Sequence, residues 1–189
     1  MKNVYFVTGI DTDAGKSYAT GWYARMLMEE GKSVVTQKFI QTGNKDFSED
    51  IEIHRRVMGC GMLPEDLDHT TAPIIFSYPA SPQLAARIDG KEIDLHVVDK
   101  ALRRLKKRYD TVLIEGAGGL MVPLADDFLT INFPQNRNLP LIVVTNGRLG
   151  SISHTLLLLD CIKRRNMRLH AVLYNEHFDN DPMIAPDTY

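Results

Sequence analysis

The segment Thr8-Gly9-Ile10-Asp11-Thr12-Asp13-Ala14-Gly15-Lys16-Ser17 lies between an apolar run, Val4-Tyr5-Phe6-Val7, and residues with helical spacing. Strand, glycine-bounded loop and helix form the order that a phosphate cradle needs. Backbone N–H groups in such a loop point at phosphate oxygens, and the helix behind it presents its positive end. Lys16 adds a compact cation, and Ser17 adds a hydroxyl suited to Mg2+. The stretch between Gly9 and Gly15 is one residue longer than in the standard loop. A solvated surface turn ending in a lysine is the bland alternative, and the flanking strand and helix disfavour it. The segment implies binding of a nucleoside triphosphate.

Mg2+ accompanies such a ligand and takes oxygen donors, usually one or two carboxylates with phosphate oxygens and water. Glu115 is a candidate because the strand-forming run Thr111-Val112-Leu113-Ile114 delivers it directly into Gly116-Ala117-Gly118-Gly119. That position belongs to the carboxyl edge of a sheet, where ligands of open α/β proteins bind. A helix cap or a plain salt bridge is the structural alternative. Asp50 is a second candidate, but Asp46, Glu49 and Glu52 are compositionally equivalent, so the residues alone leave that choice open. Lys38 ends the short run from Val34 and is either a surface cation or a group that neutralises charge during phosphoryl transfer.

The elements that must position these residues can be read from periodicity. Ala19, Trp22, Tyr23, Met26 and Leu27 recur at helical spacing, and Gly31 stands where a left-handed cap is wanted. Ser48 caps a short helix from Glu49 to Met58, with Asp50 in its first turn. Residues 59–82 read as an irregular stretch broken by Pro64, Pro73, Pro79 and Pro82, leading into a helix near Leu84. Asp94 caps a helix with the apolar stripe Leu95, Val98, Leu102, Leu105 and Tyr109; its Arg103, Arg104, Lys106, Lys107 and Arg108 read as a solvated face. Leu141–Thr145 is a buried strand running into Asn146-Gly147-Arg148-Leu149-Gly150. A helix with Ile152, Leu156, Leu159 and Ile162 on one side follows, then a strand from Leu169 to Tyr174 that ends at Asn175. Strands alternating with helices imply parallel pairing through right-handed crossovers, hence a mostly parallel three-layer α/β sandwich.

With 189 residues the chain suits one compact domain. A net charge of -2 and a charged fraction of 24% name no polyanionic partner, so no nucleic acid is expected. Cys60 and Cys161 lack paired or zinc-finger spacing and read as reduced thiols. A strand that begins by residue 4 leaves no room for a signal peptide, and no apolar run approaches a membrane span. The expected location is the cytoplasm.

The combination of Thr-Gly-x-Asp-Thr-x-x-Gly-Lys-Ser at 8–17, Lys38 with Thr42-Gly43, Glu-Gly-Ala-Gly-Gly at 115–119, Leu-Gly-Ser-Ile-Ser-His at 149–154, and Asn175 resembles dethiobiotin synthetase over nearly the whole chain. The resemblance implies a P-loop NTPase, Rossmann-like fold and a ligase of biotin synthesis. That ligase joins 7,8-diaminononanoate and CO2, with ATP and Mg2+, to give dethiobiotin, ADP and phosphate. Carried over by motif, Thr12, Asp13, Ala14, Gly15, Lys16, Ser17 and Tyr18 would hold phosphates, with Gly116, Ala117 and Gly118 lining the nucleotide site. Lys16 and Lys38 would stabilise the transferring phosphoryl group and the carbamate, while Ser17, Asp50 and Glu115 would ligate Mg2+. Thr42 would contact the diamine or carbamate, and Asn175 with Glu176 would meet the base. Gly150, Ser151, Ile152 and Ser153 would bind the substrate carboxylate across a homodimer interface. Asp13 replaces a common glutamate and Phe39 a usual proline. Family members typically continue past the position of Tyr189 through another strand and helix that complete the purine pocket, so the expectation is a single ATP-binding synthetase domain over residues 1–189 without those elements. The rivals are a partitioning-type ATPase switch, whose usual second lysine is replaced here by loop acids, and the synthetase domain of a corrinoid amidotransferase, which would normally be followed by a glutaminase domain.

Overall fold

The computed structural model describes residues 3–178, and the expectation about further C-terminal elements lies outside them. In chain order the elements are β1 (Asn3–Gly9), α1 (Lys16–Glu29), β2 (Val34–Lys38), β3 (Gln41–Thr42), α2 (Glu49–Met58), α3 (Pro64–Leu67), β4 (Ile75–Phe76) and α4 (Pro82–Ile88). There follow α5 (Leu95–Arg108), β5 (Thr111–Glu115), β6 (Pro123–Ala125), β7 (Phe128–Leu129), α6 (Asn132–Asn136), β8 (Leu141–Asn146), α7 (Ser151–Arg164), β9 (Leu169–Asn175) and a 3-10 turn, Glu176–Phe178.

A five-stranded sheet, in the order β2-β5-β1-β8-β9, forms the middle layer, and every neighbouring pair in it is parallel. Successive side chains of a strand point to opposite faces, and the core follows that alternation. Phe6, Val112, Ile114, Leu141 and Val143 pack with Val98, Leu102 and Leu105 of α5 and with Leu158 and Ile162 of α7. Val7, Leu113, Ile142 and Val144 pack on the other face with Ala24 and Leu27 of α1 and Met58 of α2. The three-layer sandwich expected from the sequence is therefore present. Strands buried on both faces read as near-continuous apolar runs, which is why β5 and β8 carried no period-two signal.

Register sets the chemistry. Glu115 pairs with Val7 on one side and with Lys38 on the other, so the polar ends of β2 and β5 lie beside the point where β1 runs into the glycine loop. Among the described residues no helix is long and apolar enough to cross a membrane.

The structure differs from the sequence expectation in three places. The stretch 59–82 contains α3 and β4, and β4 pairs in parallel with β3. Arg104 and Arg108 of the expected solvated face reach Asp68 and Glu65 in that stretch, so two cations of α5 fasten a segment poor in regular structure. On α7 the inward residues are Leu158 and Ile162, whereas Ile152, Leu156 and Leu157 are exposed and Leu149, just before it, is 86% exposed.

α1 buries a face of small residues, Thr20, Gly21 and Ala24, and leaves Trp22 exposed. The cause is close packing: a Cβ at Gly21 would lie 2.8 Å from Val57 Cβ and 3.2 Å from the His54 Cα of α2. Gly21→Val should accordingly destabilise the protein by about 1–3 kcal/mol through overpacking. Urea unfolding measures this, and an unchanged midpoint would contradict the tight α1–α2 contact.

Candidate active site

The glycine loop closes on itself around Lys16. Gly15 has φ +91, a conformation that favours glycine, and a Cβ there would lie 2.0 Å from Asn175 Nδ2. Asn175, at the end of β9, donates from Nδ2 to the Ala14 carbonyl at 3.2 Å and accepts at Oδ1 from the His177 N–H. The last strand thus braces the loop. Lys16 is buried, and its Nζ donates to the Asp11 carbonyl at 2.8 Å. Burial pulls its pKa below that of a free lysine, and nearby Lys38 adds to the effect although Glu115, Asp50 and Asp13 oppose it.

Glu115 is the centre of the site. Its Oε1 accepts from Lys38 Nζ at 2.8 Å and from Ser17 Oγ at 3.0 Å, and its Oε2 meets His54 Nε2. Burial alone would raise the Glu115 carboxyl, but Lys38 and His54 outweigh it and hold the group far below the usual carboxylate range. Lys38 donates also to the Gly116 carbonyl at 3.2 Å and pairs with Asp50. Burial works against its charge too, yet Glu115 and Asp50 prevail and raise its pKa. Asp50 Oδ1 lies 2.7 Å from the same Ser17 Oγ, so the two carboxylates share its one proton. This contact separates Asp50 from its compositional equivalents: the Ser48 hydroxyl caps α2 by accepting from the Ile51 N–H, and the helix start carries Asp50 over the loop.

Among the described residues no group of three or more His, Cys, Asp or Glu side chains forms a metal cage. Ser17 Oγ, Asp50 Oδ1 and Glu115 Oε1 converge instead as two carboxylates and a hydroxyl. That hard-oxygen set fits Mg2+ completed by phosphate oxygens and water.

These groups face a cleft of about 840 Å3. Of the sequence candidates, Thr12, Asp13, Gly15, Lys16, Ser17, Tyr18, Lys38, Thr42, Asp50, Glu115, Ala117, Gly118 and Asn175 line it. Ala14, Gly116, Glu176 and the α7 start from Gly150 to Ser153 are not among its lining residues. Ser151 is buried, with its hydroxyl donating to Asn146 Oδ1 at 2.6 Å, whereas Ile152 and Ser153 are exposed. The wall also contains Arg148, whose guanidinium lies 3.8 Å from the centre of the Phe178 ring. Arg148 follows a strand end and was detectable on that ground; nothing in the sequence marked Phe178. His54, one helical turn beyond Asp50, was missed although i,i+4 spacing puts both on one face of α2.

The fold and the loop define a P-loop nucleotide-binding α/β protein. Residues 3–185 match a family model described as an AAA domain. Among solved structures, a ParA family ATPase from Chlorobium tepidum TLS matches with a TM-score of 0.56 over 100% of this chain and 79% of its own, at 17% identity. The kinase domain of Escherichia coli tyrosine kinase ETK matches with a TM-score of 0.53 over 92% and 67%, at 13% identity. These likenesses concern fold alone.

Sequence relatives are far more similar. The ATP-dependent dethiobiotin synthetase BioD 2 of Haemophilus influenzae is 46% identical over 98% of this chain and 97% of its own. That of Pasteurella multocida is 44% identical over 100% and 88%, and the BioD of Chlorobaculum tepidum is 45% identical over 98% and 77%. The chain belongs to the ATP-dependent dethiobiotin synthetases, a family of ligases.

The α2 end of the site rests on a second ion pair, Arg55–Asp66, at 2.7 and 2.8 Å. Burial would raise the Asp66 carboxyl, but Arg55, the Leu63 N–H and the Thr71 hydroxyl outweigh it and lower the pKa. A depressed carboxyl contributes stability above its unfolded value of about 4 and loses it as pH falls through the folded value. Asp66→Asn should therefore be less stable at pH 7 yet show a shallower loss below pH ~4. Urea midpoints across pH 2.5–7 (about five points) test this, and parallel curves for both proteins would refute it.

Proposed function

We propose that this chain closes a cyclic urea, converting 7,8-diaminononanoate, CO2 and ATP into dethiobiotin, ADP and phosphate for biotin synthesis. The observation that carries the reading is the convergence of Lys16, Ser17, Lys38, Asp50 and Glu115 at one sheet edge, in a chain whose relatives bear that activity in their names. One amine nitrogen of the diamine bonds to the CO2 carbon and loses a proton, giving a carbamate. A carbamate oxygen then bonds to the γ-phosphorus as the bond to ADP breaks. The second amine attacks the carbonyl carbon, phosphate leaves, and loss of a proton completes the ring.

The protein's part is positioning and charge neutralisation. Bound Mg2+, held by Ser17, Asp50 and Glu115, would shield phosphate charge. Thr12 to Tyr18 would cradle the phosphates with backbone N–H groups. Lys16 would follow the phosphoryl group, and Lys38, kept cationic by two carboxylates, would face the carbamate oxygen as charge develops. Thr42 at the cleft wall would hold the diamine. Asn175, Glu176 and the backbone of Gly116 to Gly118 would complete the nucleotide side.

We read residues 1–189 as one synthetase domain working in the cytoplasm as a homodimer, with no nucleic acid or membrane involved. Free Cys60 and Cys161 suit a reducing compartment. Exposed Leu149, Ile152, Leu156 and Leu157 give the dimer an apolar face. The start of α7 lies outside this subunit's cleft lining, so its N–H groups would anchor the substrate carboxylate for the partner's cleft.

Phosphate release should require the diamine and CO2 together, and Lys16→Ala should lower turnover at least about a thousandfold while leaving the fold intact. Steady ATP hydrolysis without diamine would instead indicate a switch ATPase. Mixing Lys16→Ala subunits with Ser153→Glu subunits should restore about a quarter of wild-type activity, since only the heterodimer has an intact shared site. No recovery despite demonstrated subunit exchange would rule out the shared site.

A further inference from the structure

His54 lies wholly buried between α2 and the sheet, and nothing in the phosphoryl chemistry above uses it. Its ring is held from both sides. Nδ1 is 2.9 Å from the Thr36 hydroxyl, and Nε2 meets Glu115 Oε2. Thr36 Oγ1 also accepts from Arg55 Nη1 at 2.8 Å, and Arg55 is fixed by its two bonds to Asp66. Donor and acceptor capacities order this chain. Glu115 is an ionised carboxylate and only accepts, so the imidazole donates its Nε2–H to Oε2 while the Thr36 hydroxyl holds Nδ1. Gly21 makes the approach possible, since a side chain there would press on the His54 backbone.

The consequence concerns which Glu115 oxygen is offered to the cleft. Oε2 is committed to His54, and only Oε1 is turned to Ser17 and Lys38. We propose that His54 is a positioning residue that makes Glu115 a one-oxygen ligand and thereby biases the site toward Mg2+ over Ca2+. The inference rests on the Mg2+ reading given above. Its physical basis is that Mg2+ demands a compact octahedron, whereas Ca2+ accepts bidentate carboxylates and more ligands. A Glu115 free to rotate would present both oxygens. Partners that orient a ligating carboxylate typically matter by tenfold or more in metal affinity.

The test is Mn2+ binding to the full chain saturated with a non-hydrolysable ATP analogue, read from the electron paramagnetic resonance of free Mn2+, with displacement by Mg2+ or Ca2+. His54→Leu should weaken Mn2+ about tenfold and move the displacement ratio toward Ca2+ by a similar factor. His54→Gln, which keeps an N–H donor near the Nε2 position, should restore most of both. Wild-type affinity and ratio in His54→Leu would overturn the proposal. Should His54→Leu fail to fold, Thr36→Val removes only the hydroxyl that fixes the ring, and the ratio must still move toward Ca2+; an unchanged ratio overturns the proposal equally. Asp50→Asn serves as the control for the metal reading. If it weakens Mn2+ while the His54 variants do not, positioning alone fails; if neither changes Mn2+ binding, the metal reading fails and the proposal with it.

Discussion

A carboxylate buried at the end of a central strand cannot stay ionised without partners, and Glu115 is almost inaccessible. Everything around the cleft can be traced to how that charge is compensated. Lys38 comes from the neighbouring strand in register, Ser17 from the first turn of α1, and His54 from α2. Removing any one leaves a buried polar group short of a partner, which costs more than the bond itself contributes. The same compensation leaves an anionic, oxygen-rich edge facing Lys16 and the backbone N–H groups of the glycine loop. Such an edge suits a divalent cation carrying phosphates, and a lone lysine would not supply it.

Geometry follows from two packing constraints. Parallel register aligns the polar ends of β2 and β5 beside the glycine loop, so strand pairing fixes which side chains meet. Close contact at Gly21 lets α2 bring Asp50 to Ser17 and His54 to Glu115. The α2 backbone is anchored further along by Arg55 and Asp66, both deeply buried, so the site is supported well outside its first ring of contacts.

Much of this was legible in the sequence because the central strands and their flanking helices obey strong local rules. The strand–loop–helix order around Lys16, the Ser48 and Asp94 caps, and the apolar run into Glu115 each carried a signal that tertiary context did not override. The choice of Asp50 over its acidic neighbours was illegible, since it depends on how α2 crosses the loop. Segments held by long-range contacts were also hidden. α3 is held by Arg55, Arg104 and Arg108, β4 by its pairing with β3, and the β6–β7 hairpin with α6 has too few residues for periodicity to act on. On α7 periodicity misled, because apolar residues occupy more of the helix than the core covers.

The cleft uses ATP to build a ring from a diamine and CO2. Mass spectrometry of the product formed from Mg-ATP, carbon-13 bicarbonate and 7,8-diaminononanoate tests it most directly. The expected product is dethiobiotin with a single labelled carbon in its ring carbonyl, formed in step with phosphate. Phosphate release with no labelled ring product would contradict it.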